Sequence, residues 1–125
     1  MGGGELAEVA EALDALARRG LLFGGTKLRR RMVVRVRTSP SYIVIKYDDG
    51  GVQYVDGRRY FAVLLPKAVP KEAADALNVV AGRGMLYAGG KRVAAVRLNG
   101  RRAEVVLEGG GTARARELTI QISSE

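Results

Sequence analysis

The chain has 125 residues, of which 47% are apolar, and its 21 basic and 13 acidic residues give a formal net charge of +8. This length fits a single domain, which we expect to span residues 1–125, and the excess of positive charge predicts a polyanionic partner. Cysteine and histidine are absent, which excludes disulfides, thiolate chemistry and the commonest general base and metal ligand. We therefore expect no metal site and no cofactor.

The first predicted element is a helix over residues 5–19. Its apolar positions recur every three or four residues, at Leu6, Val9, Leu13 and Leu16. Acidic residues fill the first turns and arginines the last, which suits the helix dipole. Gly20 follows as a typical helix stop.

Four strands follow, in a predicted antiparallel meander over residues 28–37, 42–47, 52–55 and 58–65. Four-residue turns at 38–41 and 48–51 join the first three strands. Asp56-Gly57 is typical of a two-residue type I′ hairpin, in which both residues have positive φ.

The rest of the chain predicts a second helix over residues 70–81, with Pro70 at its first position. A short strand is expected at 85–87, a hairpin around Asn99-Gly100, and a last strand at 118–122. No repeat of about 20 to 50 residues stands out. The predicted fold is α+β: an antiparallel meander is packed by an N-terminal and a central helix, followed by a C-terminal hairpin and strand.

Side-chain alternation sorts the predicted meander into two faces, because directly paired residues share a face. The face expected to pack against the helices carries Met32, Val34, Val36, Ile43, Ile45, Tyr47, Val52, Tyr54, Phe61 and Val63. The opposite, open face carries the candidate binding residues Arg31, Arg35, Arg37, Tyr42, Lys46, Gln53, Arg58 and Tyr60, with Val33, Val44 and Val55 among them. No acidic residue of the predicted strands falls on the open face.

A basic face with exposed tyrosines predicts a non-enzymatic protein that binds single-stranded DNA with little sequence specificity. Lysine and arginine contact phosphates, tyrosine rings stack on unpaired bases, and arginine can do both. A duplex would call for a recognition helix or ribbon, whereas the first helix here is acidic. Three alternatives stay open: RNA or the ribosome as the partner, a protein partner anchored on the tyrosines, and charges that only solvate the sheet.

Features of an enzyme are weak in this sequence. Glu72 and Asp75 are spaced as a carboxylate pair, but acidic residues are ordinary in the first turn of a helix. Gly82-Arg83-Gly84 lacks the Gly-Lys-Ser/Thr ending of a phosphate loop. The first residues lack the basic start and apolar stretch of a signal peptide, and no apolar run could span a membrane, so a cytoplasmic location without membrane association is expected.

The organisation resembles the DNA-binding domain of the ThermoDBP group of archaeal single-stranded-DNA-binding proteins. The resemblance lies in the acidic first helix, the strands Met32-Val33-Val34-Arg35-Val36-Arg37 and Tyr42-Ile43-Val44-Ile45-Lys46-Tyr47, and the helix and hairpin that follow. It implies a thermophilic archaeal source, single-stranded DNA held in a basic and aromatic cleft, and a homo-oligomer, a dimer or tetramer. The long C-terminal leucine zipper of the larger members is missing, so assembly would use another surface, such as residues 118–122 or the Asn99-Gly100 hairpin.

Overall fold

Two helices and ten strands form in residues 3–39 and 42–124, the part of the chain that this computed structural model describes. The helices are α1 (Gly3–Arg18) and α2 (Lys71–Gly82). The strands of the first half are β1 (Leu22–Thr26), β2 (Arg29–Ser39), β3 (Tyr42–Tyr47), β4 (Val52–Tyr54) and β5 (Gly57–Leu64). Those of the second half are β6 (Leu86–Ala88), β7 (Lys91–Asn99), β8 (Arg102–Leu107), β9 (Thr112–Ala113) and β10 (Glu117–Ser124).

The strands of the described residues form one sheet in the order β4-β3-β2-β1-β5-β10-β6-β7-β8-β9, and all recorded pairings are antiparallel. The helix α1 packs on β2, α2 packs on β7, and the two helices pack against each other. The predicted α+β fold with an N-terminal and a central helix is confirmed.

The core lies between the helices and one face of the sheet. Its largest fully buried side chains include Leu13, Leu16, Leu22, Ile45, Leu77, Leu86, Leu118 and Ile120. No polar or charged side chain of the described residues is buried. Apolar burial therefore stabilises this fold, while the charges stay at the surface.

The predicted hairpin between β4 and β5 does not form. The strand β4 lies at the outer edge of the sheet beside β3, whereas β5 lies at its centre between β1 and β10. Gly57 has a φ of 76°, but no residue other than glycine has positive φ in the described chain, so Asp56-Gly57 is not a type I′ turn. The expected pairing of Val55 with Arg58 is therefore wrong.

The two halves of the chain repeat one order of elements, a helix followed by five strands. Leu22 of β1 pairs with Val63 of β5, and the equivalent Leu86 of β6 pairs with Ile120 of β10. The central strands β5 and β10 pair with each other, with Ala62 opposite Thr119. A pseudo-twofold axis passes through this pair and exchanges the halves. This repeat is longer than the period of about 20 to 50 residues considered from the sequence.

The repeat extends to backbone detail at the helix ends. In the first half the N–H of Leu21 donates to the carbonyl of Leu16 (3.1 Å), and in the second the N–H of Met85 donates to that of Val80 (3.2 Å). Gly20 and Gly84 each have a φ of 72°. This left-handed stop is the Schellman arrangement, and it turns each helix directly into the next strand.

Each helix also forms a side-chain hydrogen bond to the strand on which it packs. A bulge follows Val33 in β2 and its equivalent in β7. Beyond it, the N–H of Val36 donates to Oδ1 of Asp14 on α1, and the N–H of Val96 donates to Oδ1 of Asn78 on α2, both at 2.8 Å. Because β1 pairs with β2 only as far as Met32, the helix side chain satisfies a strand donor that no strand reaches.

Candidate nucleic-acid interface

The bulge in β2 exchanges the faces of the residues that precede it. The pairing of β2 with β3 is shifted by two residues from the prediction, Val36 lying opposite Ile45, and a shift of two preserves the faces. The predicted turn residues Pro40 and Ser41 lie outside the described residues. One extra residue before Arg35 then inverts the alternation, so Val33 is buried, Val34 is 38% exposed, and Met32, predicted in the core, is only half-buried.

A second register difference exchanges the faces of β4. The N–H of Tyr47 donates to the carbonyl of Gly51, which leaves a three-residue loop in place of the predicted four. Ile45 therefore lies opposite Gln53, and Val44 lies opposite Tyr54. Since this shift is odd, predicted core and open residues change places.

The exchange exposes two residues predicted in the core and turns two predicted open residues inward. Val52 is 50% and Tyr54 is 57% exposed, whereas Val55 is fully buried. Gln53 accepts a hydrogen bond from the hydroxyl of Tyr47. The Asp-Asp-Gly-Gly sequence contained a signal for this, because a three-residue hairpin loop needs a glycine with positive φ, and Gly50 has a φ of 89°.

These changes create an aromatic surface that we call the tyrosine patch. It consists of Tyr42, Val44, Val52 and Tyr54, flanked by Arg35, Arg37 and Lys46. The rings of Tyr42 and Tyr54 meet edge to face, with their centroids 5.3 Å apart and their planes at 71°. Tyr42 is 38% exposed. Both ring systems thus present surface to solvent in a fixed mutual arrangement.

Two of the three flanking cations have no ion-pair partner among the described residues, Arg37 and Lys46. Arg35 lies 3.6 Å from Asp14, which also accepts the N–H of Val36. This carboxylate partly neutralises Arg35 and leaves the other two cations available to a ligand.

Arg31 is not part of this surface, contrary to the sequence prediction. Its guanidinium stacks 3.9 Å from the centroid of the Tyr47 ring and donates to both carboxylate oxygens of Asp49, at 2.9 and 3.0 Å. This bidentate bond lowers the pKa of Asp49, and burial raises the pKa of Tyr47. Arg31 is therefore occupied by contacts within the protein.

Arg58 and Tyr60 are exposed, as predicted, but lie apart from the tyrosine patch. Tyr60 is 56% exposed on β5, two residues from Ala62, which lies opposite Phe23 of β1. Tyr42 lies opposite Ser39, at the far end of β2. From the register, the two tyrosines are separated by roughly 30 Å along the strands. The structure brings together Arg35, Arg37, Tyr42 and Lys46 and separates them from the β5 residues.

The arginines of β7, the equivalent of β2 in the second half, lie close to acidic residues. Arg97 is the counterpart of Arg37, and it forms an ion pair with Glu104 at 3.0 Å. Arg92 lies 4.0 Å from Glu108 and donates to the hydroxyl of Tyr87. The open basic and aromatic surface is thus concentrated on β2, β3 and β4.

Within residues 3–39 and 42–124, no acidic cluster is suited to holding a metal ion. In the same part of the chain, neither helix combines the length and the apolar character that a membrane crossing requires. Comparison with protein-family models, curated proteins and solved structures gives no match to this chain.

Proposed function

We propose that this protein binds single-stranded DNA without catalysis and with little sequence preference, and that the tyrosine patch is its base-contacting surface. The observation that carries the proposal is the exposed pair of Tyr42 and Tyr54 beside uncompensated cations. Exposed aromatic pairs on a sheet are suited to unpaired bases, because every base has a face that can stack.

The spacing of the side chains supports this proposal. Lys46 lies opposite Arg35 on one side and Val52 on the other, and the next row toward Tyr42 places Val44 between Arg37 and Tyr54. Neighbouring strands are about 4.8 Å apart and alternate residues about 6.7 Å apart. A base on the tyrosines would therefore have its phosphate within reach of a cation from a neighbouring row.

The direct test is binding of a fluorescent, unstructured oligonucleotide of about 20 nucleotides. We expect Tyr42→Ala and Tyr54→Ala each to weaken binding by about 5- to 150-fold, because a stacked base contributes about 1–3 kcal/mol. The double variant Tyr42→Phe with Tyr54→Phe keeps both rings and should retain most of the affinity.

Tyr60→Ala is the matched control. It removes the same side chain from a similarly exposed strand position roughly 30 Å from the patch along the strands, so we expect a small effect on an oligonucleotide of about 5 nucleotides, which cannot reach from the patch to Tyr60. Equal losses from Tyr42→Ala and Tyr60→Ala, or none from Tyr42→Ala and Tyr54→Ala, would contradict the proposed surface.

Salt dependence and competitors distinguish the remaining partner classes. Binding of a single strand should weaken linearly with salt in logarithmic coordinates, with a slope of about −0.7 per neutralised phosphate. A protein anchored on the tyrosines has no such requirement. Poly-dT should compete better than poly-U or duplex; stronger competition by poly-U would assign the surface to RNA.

The resemblance to the ThermoDBP group supports DNA, and the oligomer it implies stays a prediction. Residues 118–122 cannot serve as its edge, because β10 lies at the sheet centre.

A further inference from the structure

The pseudo-twofold axis relates the tyrosine patch to a second surface of different chemistry. In β7 and β8, Val96 lies opposite Val105, as Val36 lies opposite Ile45 in β2 and β3. Following this correspondence along the strands, Arg102 takes the place of Tyr42. On the next strand, Val105 lies opposite Ala113 as Ile45 does opposite Gln53, so Arg114 takes the place of Tyr54.

These two arginines line a pocket of about 450 Å³. Lys67 and Arg116 add two further cations to its lining, and the remaining wall consists of Leu65, Pro66, Val69, Ala103 and Ala115. None of the acidic residues that the structure describes lines it. We call this site the arginine pocket, defined by Lys67, Arg102, Arg114 and Arg116.

Two backbone hydrogen bonds hold the segment of residues 65–69, which forms one wall of the arginine pocket. The N–H of Leu65 donates to the carbonyl of Arg116 (2.7 Å), and the N–H of Val69 donates to the carbonyl of Arg101 (2.9 Å). These bonds fix the segment between β5 and α2 against the hairpin tip and the residues before β10. Bonds within the protein backbone therefore help to hold the shape of the pocket.

The charges in this pocket are uncompensated. None of its four cationic side chains has an ion-pair partner among the described residues, whereas Arg97 nearby is paired with Glu104. Clustered like charges repel each other, and a bound anion with several oxygens relieves that repulsion. Arginine forks match phosphate oxygens in geometry as well as in charge.

We propose that the arginine pocket is a phosphate-binding site that holds the backbone of the same strand whose bases stack on the tyrosine patch. This inference rests on the proposed function. The repeat would then have diverged into one half that binds bases and one that binds phosphates. From β3 to β8 there are seven strand spacings, about 34 Å across the sheet. Tyr42 lies about 20 Å from the level of the axis along the strands, and Arg102 lies about as far in the opposite direction. A strand that reaches both surfaces therefore spans about 50 Å, or about 15 nucleotides at a stacked rise of about 3.4 Å.

The first experiment compares oligonucleotides of about 5 and about 20 nucleotides, since only the longer spans both surfaces. Arg102→Ala with Arg114→Ala should lower the affinity for the longer one about tenfold or more and reduce its salt slope by about 1.4, that is, by two phosphate contacts. Binding of the shorter one should not change. Lys27→Ala with Lys71→Ala removes the same charge from residues that do not line the pocket and should leave both affinities nearly unchanged.

The second experiment uses pyrophosphate alone as a probe and does not depend on DNA binding. Titration should shift the backbone amide signals of Ala103 and Ala115 in the intact protein, and not in Arg102→Ala with Arg114→Ala. Unchanged long-oligonucleotide affinity and salt slope in that variant would overturn the inference while leaving the tyrosine patch intact. If neither Tyr42→Ala nor Tyr54→Ala weakened oligonucleotide binding, the proposed function would be overturned instead. Absence of any pyrophosphate shift would show that the pocket is not a phosphate site.

Discussion

Gly24 lies beneath the ring of Tyr47, where a larger residue has no room. A Cβ at this position would come within 2.9 Å of Cε1 of Tyr47 and closer still to its hydroxyl oxygen. Tyr47 is itself only 3% exposed, so its ring cannot swing into solvent. The glycine is required here by packing rather than by an unusual φ.

We expect Gly24→Ala to lower the free energy of unfolding by about 1–3 kcal/mol, the usual cost of forcing extra volume into a packed site. Urea denaturation followed by circular dichroism measures this. Gly109→Ala is the control, because a Cβ there meets nothing within 4 Å and its φ is not positive. Similar stability of the two variants would contradict the packing account.

Ionisation of Tyr47 should also destabilise the folded protein at alkaline pH. Burial raises the pKa of Tyr47 above its ordinary value of 10.0, so the folded state favours the neutral phenol. Its contribution to stability is full below about pH 10 and is lost as pH rises through the raised pKa. Absorbance of tyrosinate should show a component that titrates above the ordinary range, and Tyr47→Phe should remove it. An unchanged titration in Tyr47→Phe would contradict this assignment.

At the scale of elements, one polar residue of each helix bonds to the strand on which the helix packs, β2 or β7. Asp14 accepts the N–H of Val36, whereas Asn78 accepts the N–H of Val96 and also donates to its carbonyl, both at 2.8 Å. The amide therefore satisfies two strand groups where the carboxylate satisfies one.

We expect Asn78→Ala to cost about 2 kcal/mol and Asp14→Ala about 1 kcal/mol, because each leaves partly buried strand groups without partners. Asp14→Asn should retain most of the stability, since the asparagine can reproduce the bonds of its counterpart. Thermal denaturation of the three variants tests this order. A loss from Asp14→Asn as large as that from Asp14→Ala would show that the carboxylate charge, and not the hydrogen bond, matters there.

Side-chain alternation along the strands predicted the fold class and the part of the interface formed by Arg35, Arg37, Tyr42 and Lys46. The errors in the other predicted positions have two local causes. Val36, Ile43, Ile45, Phe61 and Val63 are buried as expected. The bulge before Arg35 and the short loop at Gly50 each change the register by one residue, which moved Val33 and Val55 into the core and Tyr54 out of it. Neither feature is evident from the hydrophobic pattern, because β2 carries valines on both faces and the exposed Val52 and Tyr54 of β4 have the pattern of core residues.

At the scale of the whole molecule, the repeat was visible in short segments. Arg19-Gly20-Leu21-Leu22-Phe23 and Arg83-Gly84-Met85-Leu86-Tyr87 are nearly the same sequence at the two helix ends. Their similarity is confined to packing and turn positions, while the surface residues have diverged. Such positions are few, so overall similarity between the halves is low. The central placement of β5 follows from the repeat and not from any local turn signal.

The shared centre predicts that the halves unfold together. Ile120 is fully buried and lies opposite both Phe61 and Leu86. We expect Ile120→Ala to cost about 2–5 kcal/mol. The loss should appear equally in hydrogen exchange of core amides from both halves, at Ile45 and Val105. Loss confined to the second half would show that the halves are separate folding units.

The sheet ends on very short strands, three residues in β4 and two in β9. A long bare edge offers rows of free N–H and C=O groups that recruit further chains into aggregates. Here those rows are short at both ends, and the part of β2 that β1 does not reach packs against α1 instead. Concentrated solutions should therefore remain clear of fibrous or amorphous precipitate, even though the molecule is about half strand.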